Sequence, residues 1–404
     1  MDDLIANHLT HTDRPSLNFD AYAFMPNQPK KKNTKSNWYP PWAPRFWNGM
    51  LLGDFLSLLR ENRFQIHPVK YPMAAIGTGC ATVNSILTRI QQLTHGKQIR
   101  SAKIDRPPIF VIGHWRSGTT LMHELLAMDD RLAFPTNFDA FIPNHFLVSR
   151  FCFYPIVKLL MPKRRPMDNM AMGVGSPQED DFALCAYGAP TPYRRIAFPN
   201  RPSRDHLNLD LSQSSAEVQT EIRKTMERFL KTLTVQYDSQ LVLKSPPHTG
   251  RLKQLAEWFP DAKFVHMSRH PYRLVPSTMR LWRLLDMLQG FQVPKYDETW
   301  LKNYIFECKN LMYSAYFDQR LEVPENRLVE INFESLVADP LEEMRHVYQQ
   351  LELGEFESAK PALQDYFEKR KDHKTNPFSL DAALRSDIDS NWSEYMDVFG
   401  YQSE

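Results

Sequence analysis

The chain has 404 residues, of which 42% are hydrophobic and 24% charged. This is the composition of a folded globular protein with enough chain for a large core, and it excludes disordered, collagen-like and mucin-like classes. Lys and Arg number 49 against 47 Asp and Glu, a formal charge of +2, so net charge selects no partner, nucleic acid included, and any anion site must be local.

The amino terminus, MDDLIANHLTHTD, has neither the basic nor the apolar region of a secretory signal. Residues 26–46, PNQPKKKNTKSNWYPPWAPRF, combine prolines and cations with no acid and read as a loop. Its aromatics either pack on the body or, with Trp38, Tyr39 and Trp42 as anchors, give weak peripheral contact with an anionic membrane. Leu51, Leu52, Phe55, Leu58 and Leu59 recur at near-helical spacing and predict helix between Phe46 and Gln98. Tyr71 to Leu87 is interrupted by Gly77, Thr78, Gly79, Thr82, Asn84 and Ser85, too polar a stretch to cross a bilayer. Residues 1–100 are expected to form a loop and helical extension, and residues 101–404 one α/β domain, because no polar linker divides the latter. Cys80, Cys152, Cys185 and Cys308 form no CxxC pair and no zinc spacing; they read as reduced thiols of a cytoplasmic protein, with no metal required.

From Pro107 onward short apolar runs alternate with helical spacing. Ile109–Ile112, Leu241–Leu243, Phe264–Met267 and Leu328–Ile331 read as strands, their near-continuous apolar character being that of a parallel sheet covered on both faces. Leu252, Leu255, Ala256 and Phe259 mark one face of an intervening helix, stopped by Pro260. Strand, helix, strand at this spacing predicts an α/β fold with a mainly parallel sheet flanked by helices.

The sharpest feature is IFVIGHWRSGTTLMHELLAMD, Ile109 to Asp129. A strand ends at Gly113, a turn runs through His114, Trp115, Arg116, Ser117 and Gly118, and Leu121, Met122, Leu125 and Leu126 mark one face of a helix. Such a turn aims backbone N–H groups and the positive helix end at an anion. The spacing Gly113-x4-Gly118 matches the phosphate loop of nucleotide hydrolases, but Thr119 stands where that motif carries its lysine. The cation is Arg116 instead, whose guanidinium fork suits phosphate or sulfate. His114 and His123 flank the loop, and His123 is expected to face solvent or a neighbouring helix. Lys244 and Ser245 in LVLKSPPHTGRL, and Arg269 in FVHMSRHPYRLVPSTMRLW, fall at strand carboxyl ends, which share one edge of a parallel sheet. Pro271 suits the first residue of the following helix, which carries Ser277, and Pro276 should kink or interrupt it.

On these residues the chain resembles sulfotransferases that use 3′-phosphoadenosine 5′-phosphosulfate (PAPS). Their 5′-phosphosulfate loop looks like Arg116-Ser117-Gly118-Thr119-Thr120-Leu121, and their 3′-phosphate site pairs an arginine and a serine as Arg269 and Ser277 stand here. The resemblance to the large bacterial-type branch continues through RPMDN (Arg165 to Asn169), SPQEDDFAL (Ser176 to Leu184), LKSPPHT (Leu243 to Thr249), NFESLVADP (Asn332 to Pro340) and the closing Phe399-Gly400-Tyr401. It implies PAPS as co-substrate, a phosphate-loop-like fold, and transfer of a sulfuryl group to a hydroxyl or, less readily, an amine. Negative charge grows on the departing phosphate oxygen, where Arg116, Lys244 and the amides of Ser117 to Thr120 are the candidate stabilisers. Lys374 is a further candidate at the 3′-phosphate.

The acceptor needs a general base. Phe134-Pro135-Thr136-Asn137-Phe138 offers no glutamate, unlike some family branches. The candidates are Glu179 and Asp180, in a run of acids expected to raise one another's pKa, with His248 the runner-up. Residues about 135–200 and 282–317 are rich in aromatics and methionine, a lining that suits a small-molecule, lipid or carbohydrate acceptor alike. Two other functions share parts of this pattern: a phosphate-loop kinase or hydrolase, and a nucleotide-binding scaffold without turnover.

Overall fold

The computed structural model describes residues 43–161, 173–201, 203–369 and 380–403. The loop anchors Trp38, Tyr39 and Trp42, the RPMDN motif and Lys374 lie outside the described residues.

The strands are β1 (Ile109–Ile112), β2 (Leu132–Ala133), β3 (Gln240–Lys244), β4 (Lys263–Ser268) and β5 (Leu328–Asn332). They form one sheet in the order β2-β3-β1-β4-β5, with every pairing parallel. Ile109 pairs with Val242 on one side and Lys263 on the other, so β1 is central and all its residues are buried. Successive side chains on a strand face opposite ways, and the core divides accordingly. Phe110, Ile112, Leu241, Leu243 and Phe264 enter one hydrophobic cluster; Ile109, Val111, Val242, Val265 and Met267 enter the other. Both faces being dry explains why these strands read as unbroken apolar runs. β2 was not legible, because two residues carry no periodicity.

The helices, in chain order, are α1 (Leu52–Glu61), α2 (Tyr71–Ser101), α3 (Thr119–Leu126), α4 (Asn137–Phe141), α5 (Phe146–Leu160), α6 (Asp180–Ala186), α7 (Ala216–Tyr237), α8 (Leu252–Trp258), α9 (Pro271–Gln289) and α10 (Glu298–Gln319), followed by α11 to α15 (Phe333–Ala338, Pro340–Gln350, Phe356–Glu368, Ala382–Asn391 and Ser393–Phe399). α3, α12 and α13 cover one face through Met122, Leu125, Val347, Leu351 and Leu363. The other face carries α7, α9, α10 and the described part of the amino-terminal region. There the indole of Trp47 donates to the Gln289 carbonyl at 2.7 Å, and Phe46 stacks on Phe182 with ring centroids 4.2 Å apart.

Two local expectations change. α9 starts at Pro271 but runs on through Pro276; a proline near the first turn removes one intrahelical bond, which does not end the helix. His123 is buried against Phe134 rather than facing solvent. Among the described residues no helix is long and apolar enough to cross a membrane.

The sheet sets a close approach at Gly113. Its φ is +134°, and a Cβ there would collide with the Met267 carbonyl oxygen of β4 and the Ser117 hydroxyl. Gly113→Ala is therefore expected to cost about 1–3 kcal/mol of stability, from a strained backbone against an immovable neighbour. Urea unfolding checks this; an unchanged midpoint would mean that β1 and β4 can separate freely.

Candidate active site

The strand carboxyl ends bring the distant motifs to one edge. Past β1 the chain takes positive φ at Gly113, at Arg116 (+72°) and at Gly118 (+106°) before α3 begins. A Cβ on Gly118 would lie 2.5 Å from the Phe333 ring, so glycine is required there on two grounds. The Gly113 amide donates to Thr249 Oγ1 at 2.7 Å, and the His114 amide to the Tyr313 hydroxyl at 3.3 Å. The amides of Thr119, Thr120 and Leu121, in the first turn of α3, have no carbonyl ahead of them to bond. The Ser117 and Ser245 hydroxyls beside this turn are buried without a protein partner. Orphan donors and first-turn amides together make a cradle for an oxyanion.

Arg116, Arg269 and Ser277 meet. Arg116 Nε donates to Ser277 Oγ at 2.9 Å, and an Arg269 guanidinium nitrogen donates to the Arg116 carbonyl at 3.1 Å. The Arg269 guanidinium lies 4.3 Å from the centre of the Phe333 ring. Burial pushes the Arg269 pKa down, and the positive charges of Arg116 and Arg273 add to this against the carboxylate of Glu334. Cations held together at such a cost mark a place for a polyanion. The left-handed turn at Arg116 directs its side chain towards Ser277, while Lys244 is engaged by a carboxylate.

Lys244 ends β3, and its Nζ donates to Glu179 Oε1 at 2.7 Å. Glu179 sits just before α6. The Tyr193 hydroxyl donates to its other oxygen, and Trp115 Nε1 in turn donates to the Tyr193 hydroxyl at 2.9 Å. Burial, with the Glu179 charge beside it, raises the Tyr193 pKa well above the usual phenol value, so the phenol remains a donor. Trp115 therefore reaches the carboxylate only by way of the Tyr193 hydroxyl. Sequence reasoning missed Tyr193; it lies in a 3-10 helix, Pro192–Ala197, too short to show a periodicity that would expose this contact.

The other two acids of the run are occupied differently. Asp180 Oδ2 pairs with His248 Nε2 at 2.6 Å, and Asp181 Oδ1 with Arg251 at 2.7 Å. The expected mutual elevation fails at Asp180: burial raises its pKa, but the charge and hydrogen bond of His248 outweigh that and leave it lowered. Asp181 is raised, chiefly by burial. Side-chain exposure separates the acids: 11% for Glu179, 1% for Asp180 and 0% for Asp181. His248 is fully buried, edge-on to Phe110. Glu179 is thus the least enclosed of the three carboxylates, while Asp180, Asp181, His248 and Arg251 are paired in the dry layer behind it. Among the described residues no three His, Cys, Asp or Glu side chains form a metal-binding group.

A model of the sulfotransferase family matches residues 107–358. The chain is 38% identical over 360 residues to the omega-hydroxy-beta-dihydromenaquinone-9 sulfotransferases Stf3 of Mycobacterium bovis and Mycobacterium tuberculosis, covering 89% of this chain and 92% of each relative. The fold matches the crystal structure of sulfotransferase STF9 from Mycobacterium avium with a TM-score of 0.65 at 17% identity, over 88% of this chain and 97% of that one. It matches STF1 from Mycobacterium tuberculosis with a TM-score of 0.57 at 17% identity, over 78% and 85%. The chain belongs to the sulfotransferase family, and is an enzyme of that class with a phosphate-loop-like α/β fold.

Tyr193→Phe keeps the packed ring and deletes the bond to Glu179. It is expected to lower turnover about tenfold, the equivalent of one lost hydrogen bond to a charged group, while nucleotide affinity stays within twofold. Steady-state kinetics beside calorimetry test this; a parallel loss of nucleotide affinity would place Tyr193 at the nucleotide instead.

Buried histidines predict an acid-sensitive fold. Burial lowers the pKa of His114 and His145 to about 4, and of His123 and His266 to about 3, from 6.5. They stay neutral in the fold while the unfolded chain takes up protons below pH 6.5. Their contribution is therefore complete above about pH 6.5 and declines as the pH falls towards 4, by up to about 1.4 kcal/mol per pH unit for each histidine. Denaturation midpoints measured from pH 7.5 to 5 should fall steadily below 6.5; a flat profile would show that these rings are already charged in the native state.

Proposed function

We propose that this sulfotransferase transfers the sulfuryl group of PAPS to a hydroxyl of a lipid acceptor. The observation that carries the donor assignment is the meeting of Arg116, Ser277 and Arg269. A second cationic pocket beside the phosphate-type loop suits a nucleotide with a separate 3′-phosphate, and a nucleoside triphosphate has no group to fill it. Lys244, the amides of Thr119 to Leu121 and the hydroxyls of Ser117 and Ser245 receive the 5′-phosphosulfate. Residues 101–404 carry all of these groups, with residues 1–100 as an extension.

The acceptor oxygen attacks sulfur, and the bond from sulfur to the bridging phosphate oxygen breaks. Glu179 takes the acceptor proton. As it does so its own charge disappears, and the attraction Lys244 spent on Glu179 becomes available to the oxygen gaining charge on the phosphate. One ion pair thus links proton removal to leaving-group stabilisation, which is transition-state stabilisation by a preorganised cation. The lipid acceptor is supported by the Stf3 relatives, whose names specify a hydroxylated menaquinone, and by the aromatic side chains of residues 135–200. The described cysteines are free thiols, which fits a cytoplasmic location.

Calorimetry with adenosine 3′,5′-bisphosphate, beside magnesium-ATP, tests the donor. The bisphosphate should bind in the micromolar range or tighter and ATP far more weakly, with Arg116→Ala and Arg269→Ala each losing at least tenfold in bisphosphate affinity. Preference for magnesium-ATP would overturn the reading. Glu179→Gln should keep bisphosphate affinity and lose about a hundred- to ten-thousandfold in turnover. Labelled donor offered with long-chain lipid alcohols, phenols and sugars reads the acceptor class; label on sugars or phenols alone would overturn the lipid assignment.

A further inference from the structure

The described surface carries an apolar face that the chemistry above does not use. On α2, Val83, Ile86, Ile90 and Leu93 are all exposed, Leu93 at 87%. They follow the spacing i, i+3, i+7, i+10, a single stripe about 15 Å long. The opposite side of the same helix is buried through Asn84, Thr88 and Gln91, so the stripe faces outward. The start of α5 packs on that buried side: Gln91 bonds both the Asn144 carbonyl at 3.1 Å and the Leu147 amide at 3.0 Å, and His145 bonds Asn84 at 2.9 Å. Large apolar side chains this exposed are ordinary singly, but not as a continuous stripe of four along one helix.

Charge says what covers them. From Asn62 to Ile104 the sequence has no Asp or Glu. The cations remain: Arg89, Lys97 and Arg100 on α2 are exposed. A chain with Lys and Arg so nearly balanced by Asp and Glu has put its acids elsewhere. Apolar side chains with lysine and arginine among them, and no carboxylate, match the interface of an anionic bilayer, where the apolar groups enter the acyl boundary and the cations meet headgroups. A second copy of this chain would bring the same cations against themselves, which disfavours self-association.

We propose that the outward face of α2 docks the enzyme on an anionic membrane surface. The docking needs neither donor nor acceptor, so it stands or falls separately from the lipid-acceptor reading.

Vesicle co-sedimentation of the full chain, without nucleotide or acceptor, tests it. Vesicles of three parts phosphatidylcholine to one part phosphatidylglycerol should bind the protein, and pure phosphatidylcholine should bind it at least tenfold more weakly. The double variant Ile90→Glu, Leu93→Glu should need at least tenfold more mixed lipid for half binding, and so should Arg89→Glu, Lys97→Glu, whose charges act only by attraction to headgroups, each worth about a fivefold change. Thermal melting confirms that each variant is folded; all four positions are exposed. Failure of the wild-type chain to sediment with mixed vesicles overturns the proposal. So does binding that both double variants leave unchanged, which would place the contact elsewhere. Light scattering that shows a wild-type dimer, broken by Ile90→Glu, Leu93→Glu, together with no vesicle binding, would assign the face to self-association and overturn it as well.

Discussion

The site depends on how tightly β1 can turn at its carboxyl end. Gly113 passes so close to the β4 backbone that no side chain fits, and Gly118 lies equally close to Phe333. Between them Arg116 holds a left-handed conformation that costs a non-glycine residue about 1 kcal/mol. The Thr249 hydroxyl on the Gly113 amide and the Tyr313 hydroxyl on the His114 amide fix the turn from β3's side and from α10. The strain has a use. It points Arg116 away from the helix it precedes and towards Ser277, so one short turn serves two anion positions.

Behind the turn, consecutive acids meet partners drawn from the end of β3 and the turn after it: Glu179 with Lys244, Asp180 with His248, Asp181 with Arg251. Removing charges from water costs several kcal/mol per ion, and pairing returns that only where the geometry is good. Such pairs contribute more to register than to stability. They lock the start of α6 against the end of β3, which is what holds Glu179 beside Lys244. The three acids then differ in solvent access: two pairs are dry, and Glu179 keeps a small exposed area, which is what favours it as the proposed base.

The strands and the donor side were legible in the sequence because each rests on a local signal. A strand dry on both faces must be apolar throughout, and a turn with positive φ must place glycine at Gly113 and Gly118. Arg269 and Ser277 became legible once strand carboxyl ends were assigned to one edge. β2 was too short to show a pattern. The acid run misled at Asp180 because adjacency in sequence suggests mutual repulsion, whereas the helix start turns each carboxylate towards a different partner. Tyr193 was beyond reach, since its contact with Glu179 and Trp115 is made by tertiary packing of a short 3-10 helix.

The amino-terminal helices are bound to the chemistry by packing. Phe46 stacks on Phe182 of α6, and Phe182 lies 4.7 Å from the Tyr193 ring. Trp47 ties the same turn to the end of α9, the helix that carries Ser277. Interiors are close-packed and transmit displacement, so a shift of this region reaches both Tyr193, which bonds Glu179, and the helix that carries Ser277. The long helix α2 belongs to the same packed unit through Asn84, which bonds the carbonyls of Asn48 and Met50. One side of α2 is therefore committed to supporting the site, and its polar buried residues are there for that purpose. Its other side is apolar although it is exposed at Ile86, Ile90 and Leu93. A helix whose inward face serves the reaction and whose outward face is apolar and cationic connects the position of the surface it rests on to the residues that act.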